Sequence, residues 1–234
     1  MRTKVLFVGV AIVALMFTLP VATAQAAPVY FRGTGLGASA TTNLSNGTGG
    51  WIVRTGYIGQ LMLDWTNTGS VADDFVAYCL TLNVTLTNPE DVTVRPLSDL
   101  PQLGNPPYAV PDAGDRIAWL LNNISVTTAD QGAALQMAIW EVLYDPFGAY
   151  NLGTGNFYVT AGGTIATQAA TYLGLMNGHM SEALWLDSGT TNSAGQYAQL
   201  GQDYGVASVP EPGSAVLLGS GLIGLATVLR RRRS

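Results

Sequence analysis

The end of the chain carries the strongest constraint on everything before it. Gly213 to Leu229 is a stretch of 17 residues without a charge, and four arginines, Arg230, Arg231, Arg232 and Arg233, follow it. At about 1.5 Å per helical residue the stretch reaches roughly 26 Å, enough to span a thin bilayer core. The arginine cluster is expected to act as a stop and stay in the cytoplasm. The residues ahead of it are then expected outside the inner membrane.

The opposite end agrees. Arg2 and Lys4 form a basic start, and Val5 to Leu19 is apolar up to Pro20. Ala24-Gln25-Ala26 is a small-x-small cleavage site, so the mature chain is expected to begin at Ala27, with cleavage after Ala24 as the alternative.

Val209-Pro210-Glu211-Pro212 stands directly before the apolar stretch. The order of motif, short helix and arginine stop resembles the PEP-CTERM sorting signal of Gram-negative bacteria. The resemblance implies export by the secretion machinery and recognition by an exosortase-like membrane protease that removes the tail. Contact with the inner membrane is then transient, as with other cleaved C-terminal signals. The final place would be the cell surface, the outer envelope or the extracellular matrix of a biofilm. Three parts follow: a signal peptide at 1–26, one extracellular domain at 27–208, and a sorting signal at 209–234.

The middle part has about the length of one domain. It has fourteen acidic residues against four arginines (Arg32, Arg54, Arg95 and Arg116), a net charge of −10, more acidic than the −5 of the whole chain. Such a surface repels nucleic acid. The domain contains no lysine and one cysteine, Cys79. An unpaired cysteine in an exported chain marks a reactive or functional thiol for attention.

The pattern predicts an α+β fold, a mainly antiparallel β-barrel or sandwich with an inserted helical part. Val29 to Phe31 reads as a short strand and Gly33 to Gly50 as a glycine- and asparagine-rich loop. Trp51 to Trp65 reads as a strand bent at Gly56 and Gly59. Asp74 to Thr87 alternates, with Val76, Tyr78, Leu80 and Leu82 on one face and Cys79 on the less apolar other. Val92 to Arg95 reads as one more strand, ended by Pro96. Asp115 to Asn122 predicts a short helix. Thr128 to Gln131 has capping-box spacing for a longer one, ending near Tyr144 before Pro146. Its face carries Ala133, Gln136, Met137, Trp140 and Tyr144, with Gln136 the polar intruder. Ile165 to Met176 is a third helical stripe, and Leu184 to Leu186 and Gln196 to Leu200 suit late strands.

Tyr78-Cys79 on a strand, followed by Leu135-Gln136-Met137-Ala138-Ile139-Trp140 on a helix, resembles the thioester (TQXA) domains of bacterial surface adhesins. The segment Arg116 to Asn122 is similar to the helix before the glutamine motif in that family. Leu135 stands where threonine is usual, and Thr81 near where an acid is common. The resemblance implies that the Cys79 sulfur attacks the Gln136 carboxamide, expels ammonia and forms an internal thioester. An amine- or hydroxyl-bearing target later opens it and becomes attached. Tyr78, Met137, Trp140 and Tyr144 are the expected shield against water. An ε-amine nearby would open such a bond, so a lysine-free domain protects itself.

Cys79 reacts once in this scheme, so the chain is expected not to be an enzyme and to need no cofactor. The alternatives are a non-covalent module of the exopolysaccharide matrix and a hydrolase using Cys79. His179 is the only histidine and sits in a polar turn. Asp130 and Glu141 read as solvated helix residues. Cys-x-x-Cys and His-Glu-x-x-His are absent, so no metal site is expected.

Overall fold

One strand organises the molecule. β1 (Ala27–Ser45) is 19 residues long and pairs along nearly its whole length with β2 (Trp51–Asp64). The computed structural model describes residues 26–46, 49–82, 84–103, 110–160, 162–191 and 197–208. The expected leader up to Gln25, including Ala24 of its cleavage site, lies outside the described residues, and Ala26 is exposed at their start. The expected sorting residues Val209, Pro210, Glu211 and Pro212 also lie outside them. So do the apolar stretch and the expected stop of Arg230, Arg231, Arg232 and Arg233, and so does Gln196 of the expected late strand. Among the described residues no helix is long and apolar enough to cross a membrane.

β1 corrects the loop expected from Gly33 to Gly50. The strand runs through to Ser45, with register shifts between Phe31 and Gly33 and between Thr34 and Gly37. Ladder hydrogen bonds and burial of Ala40 and Leu44 outweigh the low strand propensity of the glycines. Gly37 faces Gly59 across the ladder, and a Cβ on Gly37 would lie 2.3 Å from the Ile58 carbonyl oxygen. The two strands approach there as only glycine allows.

β3 (Phe75–Cys79), β4 (Glu90–Pro96), β6 (Leu184–Asp187) and β9 (Tyr204–Val206) complete a ring with β1 and β2. The order is β2-β3-β9-β6-β4-β1, every pairing is antiparallel, and β1 closes back onto β2. β5 (Phe157–Val159) adds a seventh strand beside Thr42 to Leu44 of β1. β7 (Thr190–Thr191) and β8 (Tyr197–Ala198) form a separate small ladder. Closure pairs the strand edges around the ring, which an exported protein would otherwise have to protect. All six ring strands contribute to one apolar cluster containing Val29, Leu63, Ala77, Val92, Leu186 and Tyr204, which fills the barrel.

Three helices cover one side: α1 (Ala113–Asn123), α2 (Ala129–Tyr144) and α3 (Gly163–Met176). Thr128 caps α2 in the predicted capping box, accepting from the Gln131 N–H while the Gln131 side chain accepts from the Thr128 N–H. α2 is more than amphipathic. It buries Ala134, Leu135, Ala138 and Ile139 as well as the expected face, because it packs on α1, α3, β1 and β2 together. Gly132 is where it meets β1, and a Cβ there would lie 2.0 Å from the Leu36 carbonyl oxygen. Gly132→Ala should therefore cost about 3 kcal/mol or more, since neither backbone can yield cheaply. Urea denaturation checks it.

Candidate functional site

The structure brings Cys79 and Gln136 together. Cys79 is the last residue of β3. The alternation predicts a strand continuing to Thr87, but β3 ends here and the chain turns. Both faces of β3 are covered, Ala77 by the barrel interior and Tyr78 by the helices. Cys79 packs against both clusters, which corrects its placement away from the core. Val76, counted in the apolar stripe, is 38% exposed.

Successive residues of a strand present their backbone polar groups to opposite neighbours. Ala77 pairs with Leu61 of β2, while the Leu80 N–H bonds to the Asp203 carbonyl on the other side. Cys79 therefore faces the β2 side, but the β2–β3 ladder ends at Ala77. The Gln136 side chain fills the missing rung. The Cys79 N–H donates to Gln136 Oε1 at 2.9 Å, and Gln136 Nε2 donates to the Cys79 carbonyl at 2.7 Å. Gln136 is 1% exposed, so an unpaired amide would cost on the order of 1–3 kcal/mol. The two bonds remove that cost and fix the carboxamide at the cysteine.

Tyr144, two turns along α2, holds the continuing chain. Its hydroxyl accepts from the Leu82 N–H at 3.2 Å and lies 3.4 Å from the Leu80 carbonyl. Met137 is fully buried on the same helix, and Trp140 is buried against Phe157, ring centroids 5.9 Å apart. Tyr78 is buried beneath the helices, which pushes its hydroxyl pKa up.

The sequence alone does not single out Gln202 and Asp203. Gln202 Nε2 donates to the Thr81 carbonyl at 3.0 Å and to Thr81 Oγ1 at 2.6 Å, and the Asp203 N–H donates to the same Oγ1 at 3.1 Å. Thr81 thus ties the segment after Cys79 to the start of β9. Thr81 and Gln202 are 121 positions apart, and no local pattern announces such a pairing. The only sequence signal is a polar pair directly ahead of Tyr204-Gly205-Val206.

Burial pushes the Cys79 thiol up to about 12. At neutral pH it is held protonated, on a residue that is half-buried as a whole. A free Cys79 thiol in the folded chain should alkylate with iodoacetamide at pH 8 roughly a thousandfold more slowly than in urea. A comparison of the two rates by mass spectrometry checks this.

Glu141 is corrected from a solvated helix residue to a fully buried one. Burial raises its carboxyl to about 8, although Oε1 accepts the Asn151 N–H. Asp130 is exposed. His179 is exposed and stacks on Trp119 at 5.7 Å. Among the described residues no group of three or more His, Cys, Asp or Glu side chains is placed to hold a metal ion.

Residues 208–233 match the PEP-CTERM protein-sorting motif, and the match takes in the arginine stop from Arg230 through Arg231 and Arg232 to Arg233. No curated protein and no solved structure matches the chain. The motif implies processing by exosortase, export and sorting to the cell surface. The match does not extend to Cys79 or Gln136.

Proposed function

We propose that this exported, exosortase-sorted chain uses Cys79 and Gln136 as an internal thioester for covalent attachment to its target. The observation that carries the reading is the pair of hydrogen bonds between the Gln136 carboxamide and the Cys79 backbone. The Cys79 N–H points at Oε1, where negative charge develops when sulfur adds to the amide carbon. Holding both reactants on one rung makes the step unimolecular. The carbon–nitrogen bond of the amide breaks, a carbon–sulfur bond forms, and ammonia leaves with the thiol proton. A primary amine or hydroxyl of the target later adds to the same carbonyl and returns the thiol to Cys79. Each molecule reacts once, as an adhesin of the surface or biofilm matrix rather than as an enzyme.

The absence of lysine supports this reading, since an ε-amine beside the bond would open it. Val76→Lys, at a position 38% exposed and three residues before Cys79, should shorten the lifetime of the thioester. Intact mass followed over days measures it, and an unchanged lifetime would count against self-protection.

One observation favours a second reading. The same two bonds complete the unpaired edge of β3, so Gln136 has a structural reason to be there. On that reading the protein is a non-covalent module of the exopolysaccharide matrix. The mass of the fresh chain separates the two.

A further inference from the structure

The ring closes the strand edges only as far as β3 reaches. β3 covers the outer edge of β2 at Leu61 to Leu63, and toward the start of β2 that edge has no strand beside it among the described residues. Parity says which residues face it. On β1, the Ser45 N–H and the Thr41 carbonyl bond to Asn156 and Thr160 on the β5 side, so Ala40, Thr42 and Leu44 bond toward β2. Their partners there are Gly56, Arg54 and Ile52. Trp51, Val53, Thr55 and Tyr57 therefore direct their backbone N–H and C=O groups outward. Among the described residues these groups meet one marginal donor, the Arg54 Nη1 at 3.5 Å from the Val53 carbonyl.

The side chains sort the same way. Ile58 is buried and Ile52 half-buried against the helices, whereas Trp51, Val53 and Tyr57 on the other face are 47%, 53% and 38% exposed. Proteins ordinarily block such an edge with lysine, proline or several charges. From 51 to 57 this chain has neither lysine nor proline, and its one charge is Arg54.

Backbone and charge together select the occupant. An open row of N–H and C=O groups takes an extended strand. The domain carries a net charge of −10, so two copies repel over most of their surface. Between Arg32 and Asp64 the only charge is Arg54, and β5 has none, so the arm formed by β5, β1 and β2 lets two copies meet without opposing carboxylates. The edge is also self-complementary. An antiparallel pair centred on Thr55 sets Thr55 opposite Thr55 of the second copy and Val53 opposite its Tyr57, pairings that favour a sheet. Arg54 then faces Gly56, whereas a register centred on Arg54 would oppose the two guanidinium groups. We propose that two copies of this chain pair through the open edge of β2, antiparallel about Thr55, and join their β5-β1-β2 arms into one continuous sheet. The contact uses no part of the Cys79–Gln136 site.

Sedimentation velocity of the full chain in mild detergent tests it, and a concentration-dependent dimer is expected. Thr55→Pro removes an outward N–H at a position where an edge strand tolerates proline, so the fold should persist and the dimer should be lost. Association through the apolar tail would survive that substitution. Single cysteines in a Cys79→Ser chain, oxidised and run on non-reducing gels, read the register independently of the thioester. Thr55→Cys should crosslink two copies, because like residues meet only at the centre, at the Cα separation of about 5.5 Å of a hydrogen-bonded pair. Val53→Cys and Arg54→Cys should not. A chain that stays monomeric, a dimer indifferent to Thr55→Pro in a chain with native circular dichroism, or crosslinking at 53 as strong as at 55 would overturn the proposal.

Discussion

The fresh chain, freed of leader and tail and never exposed to amines, should weigh one ammonia less than its sequence requires. Treatment with methylamine should add one methylamine and release one thiol. Cys79→Ser should show the full calculated mass and no adduct. That variant keeps both backbone bonds to Gln136, so it removes the sulfur chemistry and leaves the rung. The bond would also join residues 57 positions apart. By the loop-closure model used for disulfides, such a link contributes on the order of 2–4 kcal/mol. Opening with methylamine should therefore lower the midpoint of urea unfolding. Gln136→Ala should do more harm than Cys79→Ser, because it also strands the Cys79 N–H and C=O at about 1–3 kcal/mol per unsatisfied group. A fresh chain of full mass would refute the thioester and leave the non-covalent module.

The second large effect is on stability against pH. Asp203 is held at about 7 against an ordinary 3.8, and Glu141 at about 8 against 4.5, in both cases chiefly by burial. A carboxyl raised in the folded state binds its proton more tightly folded than unfolded. Its stabilising contribution is complete below the unfolded pKa near 4 and is lost as pH rises through the folded value. The domain should thus lose stability between about pH 4 and pH 8, by up to a few kcal/mol for each group. Urea titrations at a series of pH values measure the slope. Asp203→Asn and Glu141→Gln should each flatten it. Asp203 accepts from the Ser188 N–H and hydroxyl, both at 2.8 Å, so an amide there keeps an acceptor oxygen and can preserve the fold. A stability that rises across this range would refute the assignment.

Glu141 shows why part of the site is not legible in the sequence. At its position on α2 a single amphipathic face leaves it in solvent. The helix instead lies between β1, β2, α1 and α3, and tertiary packing buries it from every side. The same reason explains Cys79, whose strand is covered on both faces. Parity of a strand assigns faces but does not say which of them another layer will cover. Gly33 to Gly50 misleads in a related way, because the bonds that make β1 a strand belong to a distant partner. Local signals fare better where the chemistry is itself local. The capping box at Thr128 depends on residues three apart, and α2 starts there. The β9 strand and its tie from Gln202 to Thr81 depend on residues far apart, and nothing nearby foretells them.

What the sequence determined by itself is therefore of two kinds. The address at 208–233 is linear, since a short motif, an apolar stretch and a basic stop are read in order along the chain. The pairing of Cys79 with Gln136 is expected from the resemblance of two short stretches, one on a strand and one on a helix, to a known family. Only the tertiary structure decided how they meet, because the β2–β3 ladder stops one rung short and α2 approaches there closely enough for the carboxamide to take its place.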